Sequence, residues 1–396
     1  MTTDYGKSWK KIVNGLPKDD YVKVIRQDPI NPNTLAIGME HGIYISWDKG
    51  GNWTRINNNL PPVSVRDLRI HPREGDIIVG THGRGVWILD DARSLLDMKK
   101  VGSATAHVFD VRPVTDWHVY QQIENMGQRT YKAKNPSAGA NINLMVNSTD
   151  KEPINIEIRD KLGEVVRTIK DTTKMAGLHR VNWDLKADAP VKLTNGGGGG
   201  WRGNYKPSVP PGTYVAEITV AGQSLNTNID VKADPRIELE AQDYTKQAEH
   251  IARLTNVLNQ TNVMINDIDA LKDQLTALKD RLKQEDEAQY KDEVEMIDKT
   301  MKDLTAQRDE LMRPKGSMNY RTRPRLREEI LSILFAIDST PARSTAAQLE
   351  RTETLYEESI EKSNLLDETI EGPLKQINER LGSLPLLFRK VKSNRP

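Results

Sequence analysis

Hydrophobic and polar positions alternate in short runs over the first 90 residues, and the text repeats. Within one copy, alternation predicts strands near 21–27, 34–39, 42–46 and 52–56. The run Val22-Lys23-Val24-Ile25-Arg26-Gln27-Asp28-Pro29 leading to Ala36-Ile37-Gly38 returns as Arg66-Asp67-Leu68-Arg69-Ile70-His71-Pro72 leading to Ile78-Val79-Gly80. Residues 1–12 read as the last two strands of a preceding copy, and 65–90 as three strands of a following one. A period of about 40–50 residues built of short strands and turns is what a four-stranded propeller blade requires.

A motif sits at the same offset. Thr2-Thr3-Asp4-Tyr5-Gly6-Lys7-Ser8-Trp9 and Ser46-Trp47-Asp48-Lys49-Gly50-Gly51-Asn52-Trp53 share T/S-x-D-x-G-x-S/N-W. It falls on the turn between the third and fourth strands, where a carboxylate and a hydroxyl can bond turn amides and Gly can supply positive φ. The Trp is expected to pack between neighbouring sheets. This pattern resembles the Asp-box, or bacterial neuraminidase repeat, of sialidases, sortilin-type propellers and many exported bacterial proteins, with Asn52 where the family has Thr or Ser. The resemblance implies that Thr2, Asp4, Gly6, Ser8, Trp9, Ser46, Asp48, Gly50 and Trp53 are structural, because the family's Asp-boxes lie away from its catalytic centres.

Downstream the pattern lengthens. Residues 140–146, 154–159, 164–169, 179–183 and 214–220 read as strands, with a turn at Asp160-Lys161-Leu162-Gly163, which predicts a β-sandwich over 104–237. The run 156–167, then Gly177, His179, Val181 and Trp183, then Pro210-Pro211-Gly212-Thr213-Tyr214 resemble the immunoglobulin-like module of the flagellar hook-cap protein.

After Asp234-Pro235 the period becomes helical. Ile251, Leu254, Leu258, Thr261, Ile265, Ile268, Lys272, Leu275 and Leu282 keep 3-4 spacing, and Tyr290, Val294, Ile297, Met301, Leu304 and Leu311 repeat it. An antiparallel hairpin bent at 284–289 is expected, packed against helices near 323–337 and 342–381. The expected architecture is therefore multidomain β plus α: terminal blades of an incomplete Asp-box propeller (1–98), an immunoglobulin-like β-sandwich (104–237) and an α-helical coiled-coil hairpin or bundle (239–396).

Composition narrows the chemistry. Lys+Arg 57 against Asp+Glu 56 leaves a net charge of +1, so no global field favours nucleic acid or an anionic membrane. With no cysteine there is no disulfide, thiolate metal site or cysteine nucleophile. No run reaches the ~20 apolar residues of a membrane span, and the opening residues lack the n- and h-regions of an export signal. Such a signal is expected upstream, and the location extracytoplasmic.

Candidate ligand-binding residues are His41, His82 and Arg84, in equivalent Glu40-His41-Gly42 and Thr81-His82-Gly83-Arg84-Gly85 turns. There an Arg can grip a carboxylate or sulfate and a His can titrate near neutrality. Tyr44, Arg66, Asp67, Arg69 and Arg84 supply residue types that a sialidase uses. Gly196–Gly200 before Trp201 lacks the Gly-Lys-Ser/Thr of a phosphate loop, and Arg313, Lys315, Tyr320, Arg321, Arg323, Arg325 and Arg327 read as a solvated basic connection. No metal or cofactor is expected, and no oligomer is required. The expected role is non-catalytic binding of a glycan or peptide, or scaffolding, at the bacterial cell envelope. The rival is part of a sialidase-like glycosyl hydrolase completed by upstream blades.

Overall fold

The computed structural model describes residues 1–56, 58–119, 133–147, 153–173, 176–195, 205–286, 288–314 and 321–382. Gly196–Gly200, Trp201, Lys315 and Tyr320 lie outside them. The chain is a mixed β plus α protein with several sheets. Its contacts divide it into one unit of residues 1–114, 122–184 and 213–230, and a second of 115–121, 185–212 and 231–396. Residues 1–98 and most of 104–237 thus share the first unit, while 185–212 group with the helices.

In the first unit, β1 (Val22–Gln27), β2 (Leu35–Met39), β3 (Gly42–Ser46) and β4 (Thr54–Arg55) form an antiparallel meander in that order. β5 (Val65–Ile70), β6 (Ile77–Thr81) and β7 (Val86–Leu89) form a second one. Two-residue alternation buries Leu68 and Ile70, and Ile77 and Val79, against Ala36, Ile43 and Ile45 of the first sheet, and a register shift between Val65 and Asp67 lets Val65 join them. The sheets approach closely at Gly38, where an added Cβ would come within 2.3 Å of the Val65 side chain. Strands expected in residues 1–12 are absent: the structure has a turn there, closed by one reciprocal pair of backbone bonds between Met1 and Lys10.

The short helix α1 (Arg93–Leu96) follows, then β8 (Ala106–Val108) and β9 (Val114–Thr115), two short strands with no clear alternation in the sequence. β10 (Ala140–Val146), β11 (Ile154–Arg159), β12 (Val165–Asp171), β13 (Gly177–Trp183), β14 (Gly212–Val220) and β15 (Gln223–Lys232) complete two sheets, ordered β13-β10-β8 and β12-β11-β14-β15-β9. Trp183 and Tyr214 meet edge to face at 5.2 Å between them. β14 and β15 are joined through Ala221 and Gly222, both at positive φ, as a tight hairpin requires.

The second unit is built on α2 (Ala241–Asp286), 46 residues without Gly or Pro. α3 (Lys291–Leu311) returns antiparallel: Lys279 pairs with Asp298, and Arg308 with Asp269 at 2.6 Å. α4 (Leu326–Asp338) and α5 (Ala346–Thr369) pack on this hairpin, and α5 passes through a π turn at Ile370–Leu374 into α6 (Lys375–Arg380). Pro373, which has no N–H to donate, accounts for the π turn. Leu271, Leu275 and Leu278 are buried and Lys272 is only half-buried, so the seam follows the leucines rather than Lys272. Arg327 also departs from a solvated role: it is buried and donates to Asn262 Oδ1 at 2.8 Å, and burial lowers its pKa. Among the described residues no helix is long and apolar enough to cross a membrane.

Candidate functional site

The two motif turns superimpose bond for bond. In the first, Thr2 Oγ1 donates to Asp4 Oδ1 at 2.7 Å and accepts from Gly6 N–H at 2.8 Å, while Ser8 N–H and Ser8 Oγ donate to the two Asp4 oxygens at 2.9 and 2.6 Å. In the second, Ser46 Oγ donates to Asp48 Oδ1 at 2.8 Å and accepts from Gly50 N–H at 2.7 Å. Asn52 N–H and Asn52 Nδ2 then donate to Asp48 at 2.8 Å each. Asn52 thereby replaces the usual hydroxyl without loss of a bond. Tyr5-Gly6 and Lys49-Gly50 both take positive φ, 59 and 90° against 58 and 86°. Each carboxyl is held down to a pKa of about 2: the Ser8 hydroxyl is the first cause at Asp4, the Asn52 backbone N–H at Asp48.

The indoles part company. Trp53 is buried, donates Nε1–H to Ile12 O at 2.9 Å, and packs with Ile12 and Leu16. Trp9 is 74% exposed, so it does not pack between sheets in this chain.

Because neighbouring strands are antiparallel, the β2–β3 and β6–β7 turns lie at the end of their sheets opposite the Asp48 turn. His41, His82 and Arg84 are placed there. His41 Nδ1 stands 3.3 Å from Asp20 Oδ2, and Asp20 also accepts from the N–H groups of Tyr21 and Glu40 at 2.8 and 3.2 Å. The centre of the cluster was not singled out in the sequence. Glu40 pairs with Lys23 at 2.7 Å and accepts from Ser64 Oγ at 3.1 Å, and the Ser64 carbonyl accepts from His82 N–H at 2.8 Å. Ser64 therefore ties one turn to the other. The Lys23 ammonium lowers the Glu40 pKa to about 2, and Glu40 in turn raises that of Lys23.

The side chains of His82 and Arg84 are exposed and have no hydrogen-bond or ion-pair partner among the described residues. The structure brings His41, His82 and Arg84 to one end but not into one closed pocket. Tyr44, by contrast, is buried with Ile37, Met39 and Trp53, and Asp67 pairs with Arg26 at 2.6 Å and Arg69 at 3.4 Å. A signal existed for Glu40, which directly precedes His41 in the β2–β3 turn, but none for Ser64, which is buried just before β5. Among the described residues no group of three or more His, Asp or Glu is placed to hold a metal ion.

No family model matches the chain. No curated protein matches it either. Solved structures that align with it include the extracellular domain of a putative one component system and that of a putative hybrid two component system, both from B. thetaiotaomicron. Identities are 12% and 11%, coverage of this chain 55% and 54%, and the TM-score 0.16 in each. The chain spans about a quarter of the length of those structures, 26% and 25%.

Proposed function

We propose that this chain is a non-catalytic binding or scaffold region of an extracytoplasmic Asp-box propeller protein with an immunoglobulin-like module, and that ligands meet it at the His41, His82 and Arg84 turns. The observation that carries this reading is the pair of motif turns with matching hydrogen bonds 44 residues apart in the sequence. Two further facts support it. Gly38 of β2 meets Val65 of β5, close to the start of each sheet, as blades fanned about an axis do. The turns opposite the Asp-box carry an exposed guanidinium and imidazole able to meet an acidic glycan or peptide.

The glycosyl hydrolase reading draws nothing from Tyr44 or Asp67, since one is in the core and the other ion-paired. A glycan array, a peptide library and aryl-glycoside turnover on the pure chain test the proposal. Binding should fall at least tenfold in the Arg84→Ala variant, stay unchanged in Asp48→Ala, and no glycoside should turn over. Turnover abolished by Arg84→Ala, or binding abolished by Asp48→Ala in a folded protein, would overturn it.

A further inference from the structure

The second unit contains a cleft of about 580 Å³, within the size range of small-ligand sites. Its floor follows from local chemistry. Asp116 N–H donates to Lys232 O at 2.9 Å. Asp234 then accepts from His118 N–H at 3.0 Å, from Arg236 N–H at 3.0 Å and from the Arg236 guanidinium at 2.8 and 2.5 Å. The same guanidinium lies over the Trp117 ring at 5.3 Å. On the other side, Ser208 N–H donates to Asp338 Oδ1 at 3.2 Å, Lys186 Nζ donates to Ser208 Oγ, and Gln247 caps Ile337 O at 2.8 Å.

Two polar groups in this cleft are left over. The Asp116 carboxylate accepts no hydrogen bond from a described residue. The Tyr244 hydroxyl is buried and has no hydrogen-bond partner among the described residues. Asp116 and Tyr244 both line this cleft. Asp116 is an exposed residue of the lining; partial desolvation of its carboxyl, with Asp338 and Asp234 adding to it, still moves its pKa up against the pull of Lys186 and His118. With Asp234 paired to Arg236, the carboxylates of Asp116 and Asp338 outnumber the single ammonium, Lys186, in the lining.

We propose that this cleft recognises a primary ammonium or guanidinium group on an apolar stem, its N–H groups donating to the Asp116 carboxylate and the Tyr244 oxygen. Val209, Pro210, Ile237 and Pro341 line the wall along which the stem lies. The arrangement repeats what the chain does with its own Arg236, where the Asp234 carboxylate, the His118 carbonyl and the Trp117 ring hold a cation. An anionic ligand would find one ammonium, Lys186, already donating to Ser208. The cation has two sources, a free amine or a basic side chain of an extended peptide, and the chemistry at Asp116 is the same for both.

The test is a titration of the full chain with n-butylammonium, with a Gly-Lys-Gly tripeptide amidated and acetylated at its ends, and with inorganic phosphate, read by calorimetry and by shifts of the Tyr244 ring resonances. Saturable binding of an amine probe with a Kd at or below about 1 mM is expected, with no binding of phosphate. Asp116→Asn, which keeps the backbone bond to Lys232, should weaken binding tenfold or more, and Tyr244→Phe threefold or more, at unchanged melting temperature. Tighter binding of the tripeptide would assign the source to a peptide, and equal affinity to a free amine. Failure of both amines to saturate, binding of phosphate in their place, or an Asp116→Asn variant that binds as the parent does would each overturn the proposal. Should Asp116→Asn not fold, Tyr244→Phe alone decides: an unchanged Kd overturns the proposal.

Discussion

In the turn at Ser46–Trp53 the indole is 6% exposed and lies against Ile12 and Leu16, whereas in the turn at Thr2–Trp9 its counterpart is 74% exposed. The hydrogen bonds that close the two turns correspond one to one, and so do the left-handed residues. Local sequence is therefore enough to make the turn. What it does not make is the setting of the tryptophan, which depends on chain supplied by a neighbouring repeat. Ile12 and Leu16 recur as Ile56 and Leu60 at the same offset, and the second pair joins the core of the next sheet together with Trp87. Each turn thus hands its following segment to the sheet after it.

The largest way to break the comparison is at the indoles. Trp53→Ala removes a buried ring and its bond to Ile12 O, and should cost about 3–5 kcal/mol. Trp9→Ala, on an exposed ring, should stay within about 0.5 kcal/mol. Chemical denaturation of both variants checks this, and equal losses would mean that the two rings are equally buried in solution.

The glycines come next. Gly50 has φ +86°, and a Cβ there would stand 2.7 Å from Ile12 Cδ1. Gly50→Ala should lower stability by about 1–3 kcal/mol from backbone strain and this contact. Gly6 has φ +90° and open space around it, so Gly6→Ala meets the strain alone, about 1 kcal/mol. Melting temperatures should rank the variants in that order.

The carboxylate at Asp48 gives a smaller effect. It closes two amide bonds in an exposed turn, so Asp48→Ala should cost about 1 kcal/mol, the low end for an unsatisfied turn amide because water can replace the carboxylate. Calorimetric melting measures it, and a loss as large as that of Trp53→Ala would mean that the turn is desolvated.

Legibility in the sequence followed the same division between local and supplied structure. β1 to β3, β5 to β7 and β10 to β13 came out within a few residues because alternation and β-branching are local signals. α2 and α3 did so because apolar 3-4 spacing runs uninterrupted through them. β8 and β9 were not legible: two or three residues each, they are strands only because β10 and β15 offer them an edge. The reverse failure is residues 1–12, which read as strands and which the structure instead closes as a turn between Met1 and Lys10. Lys272 kept the helical period, but Leu271 and Leu278 won the seam because burying them excludes more apolar area from water. At the turn end, His41, His82 and Arg84 were readable as glycine-flanked polar residues. The Glu40 bonds to Lys23 and Ser64 needed three strands to meet and could not be read from any one of them. Asp116 and Tyr244, 128 residues apart in the sequence, are in the same position.

The finest separation between the two turns is in their acid titration. Both carboxyls are held at about 2, below the ordinary 3.8, so whatever each adds to stability is fully present above about pH 4 and is lost as pH falls through about 2. The donors differ in rank. At Asp4 the Ser8 hydroxyl comes first and the Ser8 N–H second, while at Asp48 the Asn52 N–H comes first and its side-chain amide second. A side-chain deletion removes only the hydroxyl or the amide and leaves the backbone donor. Ser8→Ala should therefore raise the Asp4 pKa toward the ordinary value by more than Asn52→Ala raises that of Asp48. Carboxyl carbon shifts followed by NMR from pH 5 to pH 1 on the two variants measure both. Equal rises would mean that the amide of Asn52 serves its carboxylate as fully as the hydroxyl of Ser8 does, and that the substitution at the seventh motif position is silent in charge as well as in geometry.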